Sequence, residues 1–113
     1  MRIATLLLFL SLATVTCAAG RVFVTNERSD SVSVIDIETN KVVKTIPVGN
    51  RPRGIGLAPD RSEIYVAVSG DNHIAVIDRE TLEVVRTFPS GDDPETFDVH
   101  NNGNIYISNE EDA

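Results

Sequence analysis

The residues that could do chemistry fall in short polar runs. Asn50-Arg51-Pro52-Arg53 carries two guanidinium groups, each able to grip a carboxylate or phosphate through paired N–H donors. Asp71-Asn72-His73 and Asp92-Asp93-Pro94-Glu95 add further polar groups, and Asp92 and Asp93 offer the oxygen ligands that calcium prefers. Asp98 stands by itself where the preceding unit of the sequence has Gly56. An acidic side chain there is either hydrated or part of a site. The ligand-binding candidates are therefore Arg51, Arg53, Asp71, Asn72, Asp92, Asp93 and Asp98. Each also has a plainer role. The two arginines can pair with Asp92, Asp93 or Glu95 without any ligand, and the spaced Asp/Asn/Gly loop of a calcium site is absent. His73 and His100 lie in different units and near opposite ends of them, so they are not expected to share a metal. There is no Gly-x-Ser-x-Gly, and no Ser–His pair at a telling spacing. Gly54-Ile55-Gly56 opens no helix, so it is no dinucleotide fingerprint; glycines there suit a close approach of strands. These residues point to no catalytic group, no metal and no evident cofactor.

The elements that must position these runs come from a repeat. Val32 and Ile74, Asp36 and Asp78, Thr39 and Thr81, Gly49 and Gly91, and Pro52 and Pro94 are all 42 positions apart. A third unit opens at Ile105, 41 positions after Ile64. A period in the low forties with strand-like content is the pattern of a propeller blade array. In the middle unit the expected strands are a (Arg53 to Ala58), b (Glu63 to Ser69), c (His73 to Asp78) and d (Glu83 to Phe88). β-Branched and aromatic residues dominate all but strand a. Both parities are often apolar, as suits a sheet covered on both faces. Ala58-Pro59-Asp60-Arg61 fits a type I turn, and Asn102-Gly103 at the same place in the next unit favours a two-residue hairpin. That switch accounts for the offset of 41. Asp36 and Asp78 open the c–d turns, where a short carboxylate can accept backbone N–H groups. Val85 on strand d is expected to be buried, so that Val85→Asp would cost several kcal/mol.

The fold class that follows is all-β: a β-propeller of four-stranded antiparallel blades, with about two and a half blades present. Blade 1 supplies strands b to d over residues 22–48, blade 2 covers 52–90, and blade 3 begins over 94–109. Nine strands do not divide into four-stranded blades. Residues 20–113 are therefore expected to be part of a larger propeller, and marginal, oligomeric or aggregated on their own. The apolar ends should be Ile35 and Ile37 on one side, and Ile105 and Ile107 on the other. In such a blade the d–a and b–c loops share one rim. That rim gathers the polar runs, joined by Glu27-Arg28-Ser29-Asp30, into a candidate ligand face.

Residues 1–19 read as a cleavable signal peptide. Arg2 gives the positive start, Ile3 to Val15 the apolar region, and Cys17-Ala18-Ala19 the small residues before Gly20. Cys17 is the single cysteine, and Thr14-Val15-Thr16 before it is a poor lipidation context. The mature chain then has no thiol and no membrane insertion, and is expected to be periplasmic or secreted. The net charge of −7 is spread along the chain, which disfavours nucleic acid as a partner.

VFVTN, IYVAV and IYISN resemble the YVTN motif, and SVSVIDIETNKVVKTIPVGNRPRGIGLAPD is similar to the YVTN-family β-propeller repeat. The resemblance covers residues 21–109 and implies an exported, seven-bladed bacterial or archaeal propeller. TNE and PETFDVHNNGNIYISNE also resemble periplasmic propellers associated with quinone (PQQ)-dependent catabolism. More distantly the chain is similar to the haem-binding propeller of cytochrome-type nitrite reductases, but no haem-ligating motif carries over. The expected function is an exported, non-catalytic binding or scaffold propeller, accessory to quinone-linked oxidation, with a protein or small molecule as its partner. The alternatives are an enzyme of lactonase or haem-binding oxidoreductase type with its active site in further blades, and a cell-surface interaction module. Export is tested by N-terminal sequencing of the secreted product. It is expected to begin near Gly20, and a retained Met1 on a cytosolic protein would refute it.

Overall fold

The computed structural model describes residues 20–110; the leader with Cys17 lies outside the described residues. Among the described residues nine strands form three antiparallel sheets. Blade 1 holds β1 (Arg21–Asn26), β2 (Ser31–Asp36) and β3 (Lys41–Pro47). Blade 2 holds β4 (Pro52–Leu57), β5 (Glu63–Val68), β6 (His73–Asp78) and β7 (Val84–Pro89). Blade 3 holds β8 (Pro94–Val99) and β9 (Ile105–Asn109). Each sheet is a meander in chain order. The architecture is that of a partial β-propeller. The inner strands β4 and β8 lie against each other, and β4 also meets β1.

The core lies between blades rather than within one. Val32, Val34, Ile46 and Val48 of blade 1 pack on Ile64, Val66, Val68, Ala75 and Ile77 of blade 2. Burying each larger aliphatic side chain contributes about 1.5–3 kcal/mol. The opposite parity of blade 2, including Ala67, Ile74 and Val76, is buried as well. On that side Gly56 lies against the Phe97 ring of blade 3, and Tyr65 meets Phe88 edge to face at 6.4 Å. The inner strands come too close for a side chain at Gly54. A Cβ there would sit 2.7 Å from the Glu95 carbonyl oxygen and 2.9 Å from Thr96 Cα.

The turns repeat as the strands do. Asp36 Oδ1 accepts the N–H groups of Glu38 (2.8 Å) and Thr39 (3.2 Å), and Asp78 Oδ1 those of Glu80 (2.8 Å) and Thr81 (2.9 Å). The hairpin between β8 and β9 differs from expectation. The His100 N–H bonds the Asn104 carbonyl at 2.9 Å and the Gly103 N–H bonds the His100 carbonyl at 2.8 Å, with Gly103 at φ 91°. This is a three-residue loop ending in a left-handed glycine, not a two-residue hairpin. Between β4 and β5 the matching pair is Ala58 and Glu63 (2.9 Å), around a loop one residue longer. The shift from 42 to 41 is that one residue.

Two further expectations fail for reasons of parity. Val76 pairs with Arg86 and Ile77 with Val84, so Val85 is the extra residue of a β-bulge and is 49% exposed. Val43 repeats this in blade 1, where Val34 pairs with Lys44 and Ile35 with Val42; it is 52% exposed. A bulge sets two residues opposite one, and alternation cannot locate it. Ile107 pairs with Phe97, whose ring faces blade 2, so Ile107 and Ile105 face inward and are half-buried. The residue turned outward is Tyr106. At the other end Ile37 is exposed and Ile35 half-buried.

Denaturant unfolding checks the corrected parity. Val85→Asp is expected to change stability by no more than about 0.5 kcal/mol, as an exposed substitution does. Val76→Asp, which buries a lone carboxylate, is expected to cost at least about 3 kcal/mol. Equal effects would refute the bulge assignment.

Candidate functional site

The loop from β3 to β4 and the loop from β7 to β8 meet the b–c loops on one rim. The contact is built the same way twice. Asp30 and Asn72, each last in its b–c loop, adopt the left-handed conformation at φ 57° and 55°. Short polar side chains tolerate that conformation better than branched ones. Held so, Asp30 Oδ1 accepts the Arg51 N–H at 3.1 Å, and Asn72 Oδ1 accepts the Asp93 N–H at 2.9 Å. Their backbone carbonyls accept the Val48 N–H (3.1 Å) and the Ser90 N–H (3.2 Å). Arg51 and Asp93 are themselves left-handed, at φ 58° and 51°. Their carbonyls return the bond, to the Ser69 N–H and the Glu110 N–H, both at 3.0 Å. Each blade is thus tied to the next through its d–a loop.

The candidate side chains are largely engaged in this joint. Asp71 accepts the Asn50 N–H at 3.0 Å and the Asn50 amide at 2.8 Å. These bonds hold the carboxyl below its ordinary range, against a smaller opposing effect of burial. Asn72 also donates to Asp92 Oδ1 at 3.1 Å. Arg53 pairs with Glu95 at 2.6 Å and Glu110 at 3.4 Å. Partial burial opposes the charge on Arg53, but Glu95, Glu110 and Glu27 outweigh it and raise its pKa. Arg51 pairs backward, with Glu27 at 3.3 Å, rather than forward to blade 3. Asp98 stands apart, towards the other end of β8, where its Oδ1 accepts the Val99 N–H at 3.0 Å. Among the described residues no group of three or more His, Cys, Asp or Glu could hold a metal.

Two buried polar atoms flank Asn72 and have no hydrogen-bond partner among the described residues: His73 Nε2 and Asp93 Oδ1. The sequence reading also passed over Asn109 and Glu110. The Asn109 amide donates to the carbonyls of Ser90 and Asp92, both at 3.0 Å. The repeat offset of 41 was the available signal, because it sets Glu110 on Ser69.

No family model matches the chain. The chain is 48% identical over 40 residues to the PE-PGRS family protein PE_PGRS18 of Mycobacterium tuberculosis, across 35% of this chain and 9% of that protein. It is 34% identical over 53 residues to antigen Lp49 of Leptospira interrogans, across 47% of this chain and 12% of the antigen. Among solved structures, Kuenenia stuttgartiensis hydrazine synthase superposes with a TM-score of 0.73 at 23% identity, over 79% of this chain and 26% of that one. The chain therefore spans about a tenth of the curated relatives' length and about a quarter of the superposed structure. These likenesses place the chain in the β-propeller fold.

Because its folded pKa is depressed, the Asp71 carboxylate adds stability that is complete above about pH 4, the ordinary Asp range. That contribution is lost as pH falls through the depressed value. Asp71→Asn is expected to remove it. The difference in unfolding midpoint between wild type and variant should shrink on acidification from about pH 5 to about pH 2. A pH-independent difference would refute the assignment.

Proposed function

We propose that the chain belongs to an exported YVTN-type β-propeller that binds or scaffolds a partner and is itself non-catalytic. The observation that carries this is the rim around Asn72. It is held by backbone-to-side-chain joints repeated from blade to blade, and among the described residues it leaves His73 Nε2 and Asp93 Oδ1 buried without a hydrogen-bond partner. Unsatisfied buried polar atoms on a preorganised rim suit a ligand that completes them. The side chains that might otherwise act chemically are already turn and joint ligands. Arg51, exposed with Glu27, and Arg53, flanked by Glu95 and Glu110, offer the partner charges of both signs. Periplasmic placement and service to quinone-linked oxidation complete the reading; the first draws on the leader and the second on the PETFDVHNNGNIYISNE segment. A second reading, a surface interaction module, is favoured by the likeness to a protein named as an antigen.

The test combines fractionation with crosslinking in a Gram-negative host. The chain is expected in the periplasmic fraction. A photo-crosslinking residue at Arg28 or Arg51 is expected to trap the partner, and one at Lys44 on the outer edge strand β3 is not. Equal trapping at all three would refute a rim site. Haem absorbance or lactone hydrolysis by the purified protein would move the reading to an enzyme.

A further inference from the structure

The joint between blades 2 and 3 contains an aspartyl–prolyl bond, Asp93-Pro94. The joint between blades 1 and 2 has Arg51-Pro52 at the same place, 42 positions earlier. The two backbones match. Arg51 and Asp93 are both left-handed, at φ 58° and 51°. Pro52 and Pro94 are both fully buried. Sterics hold the residue before a proline to extended backbone, so each joint keeps strain at this bond. Each carbonyl accepts one N–H at 3.0 Å, that of Arg51 from Ser69 and that of Asp93 from Glu110. The side chains differ. Only the second joint sets a carboxyl beside the strained bond.

That carboxyl is not tied down as its counterpart is. Arg51 turns back to Glu27 at 3.3 Å. In the four-stranded blade 2 the place of Glu27 is filled by Ser69, whose hydroxyl already donates to the Arg51 carbonyl at 3.0 Å. Asp93 Oδ1 is buried and has no hydrogen-bond partner among the described residues. A buried carboxyl oxygen that bonds nothing needs a reason. The electrophile within its own residue is the Asp93 carbonyl carbon, which the carboxyl meets by closing a small ring. The Glu110 N–H already polarises that carbonyl.

We propose that the chain cleaves itself between Asp93 and Pro94. The Asp93 carboxyl, in its acid form, adds through oxygen to the Asp93 carbonyl carbon. A C–O bond forms, and the carbonyl electron pair moves onto the oxygen that faces the Glu110 N–H, which stabilises the charge developing there. As the carbonyl re-forms, the C–N bond breaks. Its electron pair leaves on the Pro94 nitrogen, which takes the carboxyl proton. Asp93 is left as a cyclic anhydride, and a water molecule opens it to two carboxyl groups. The sum is a peptide bond and a water converted to a carboxyl and a secondary amine, with no redox change. Release of the backbone strain favours the forward direction. Having nucleophile and carbonyl in one residue spares the cost of bringing them together. The freed Pro94 nitrogen is a basic amine at a buried position, so cleavage loosens the joint between blades 2 and 3. This is a single event of the chain on itself, independent of partner binding at the rim.

The full chain is incubated folded in mildly acidic buffer, beside a sample unfolded in urea at the same pH. Both are followed by intact-mass spectrometry and N-terminal sequencing. The folded sample is expected to give two fragments, together one water heavier than the chain, the second beginning at Pro94. They should form at least about tenfold faster than in urea, because only the folded joint has the strain and the Glu110 donor. That comparison needs no variant. In the same samples the Arg51–Pro52 bond is expected to stay whole. Asp93→Asn, which removes the nucleophile and keeps the size of the side chain, should slow cleavage by a similar factor. Cleavage as fast in urea as in the folded chain would reduce the bond to ordinary aspartyl–prolyl lability and overturn the proposal. So would a folded chain that stays whole, equal cutting at Arg51–Pro52, or a folded Asp93→Asn variant that is cut at the same rate.

Discussion

The bond from a left-handed Asp or Asn side chain to the backbone N–H two residues past a glycine holds this molecule together as an array. Asp30 makes it to Arg51 and Asn72 makes it to Asp93. A propeller blade cannot bury both its faces alone, so its stability depends on the angle and spacing of its neighbours. The joint sets both. It fixes where each d–a loop crosses to the next blade, and so which residues of the inner strands meet. The close approach of Gly54 to Glu95 and Thr96 is tolerable because glycine has no Cβ to clash there.

The joint also engages most of the polar side chains on that rim. Asp71 and Asn72 are engaged, and so is Arg53 between two glutamates. What the rim retains is charge of both signs and two buried polar atoms, His73 Nε2 and Asp93 Oδ1, without a hydrogen-bond partner among the described residues.

The two rims differ in what they offer a partner. The Asn72 rim is polar and self-complementary, with its arginines matched by glutamates. The other rim opens into a cleft with an apolar lining and Arg21, Arg61 and Arg79 at its mouth, none of them in an ion pair among the described residues. Arg21 adds to that positive charge by standing where blade 2 has Glu63.

The amino-acid sequence by itself determined the repeat, the strand order and the loops that share a rim. Those properties reside in local alternation, in turn residues and in a spacing that survives from unit to unit. It located β4 to β7 to within one residue of their observed ends, and it assigned Asp36 and Asp78 to their turns for the right reason. It could also anticipate the glycines as points of close strand approach. Tertiary structure alone decided which way side chains point after an irregularity. Val85 and Val43 are turned out by bulges, and Ile105 and Ile107 are turned in by the pairing of β9 with β8. It also decided the pairing of charges, sending Arg51 back to Glu27 and leaving Asp98 away from the rim. The physical reason is that face and ion-pair geometry depend on register across strands and blades, and a period of 42 residues repeats that register without stating what it is.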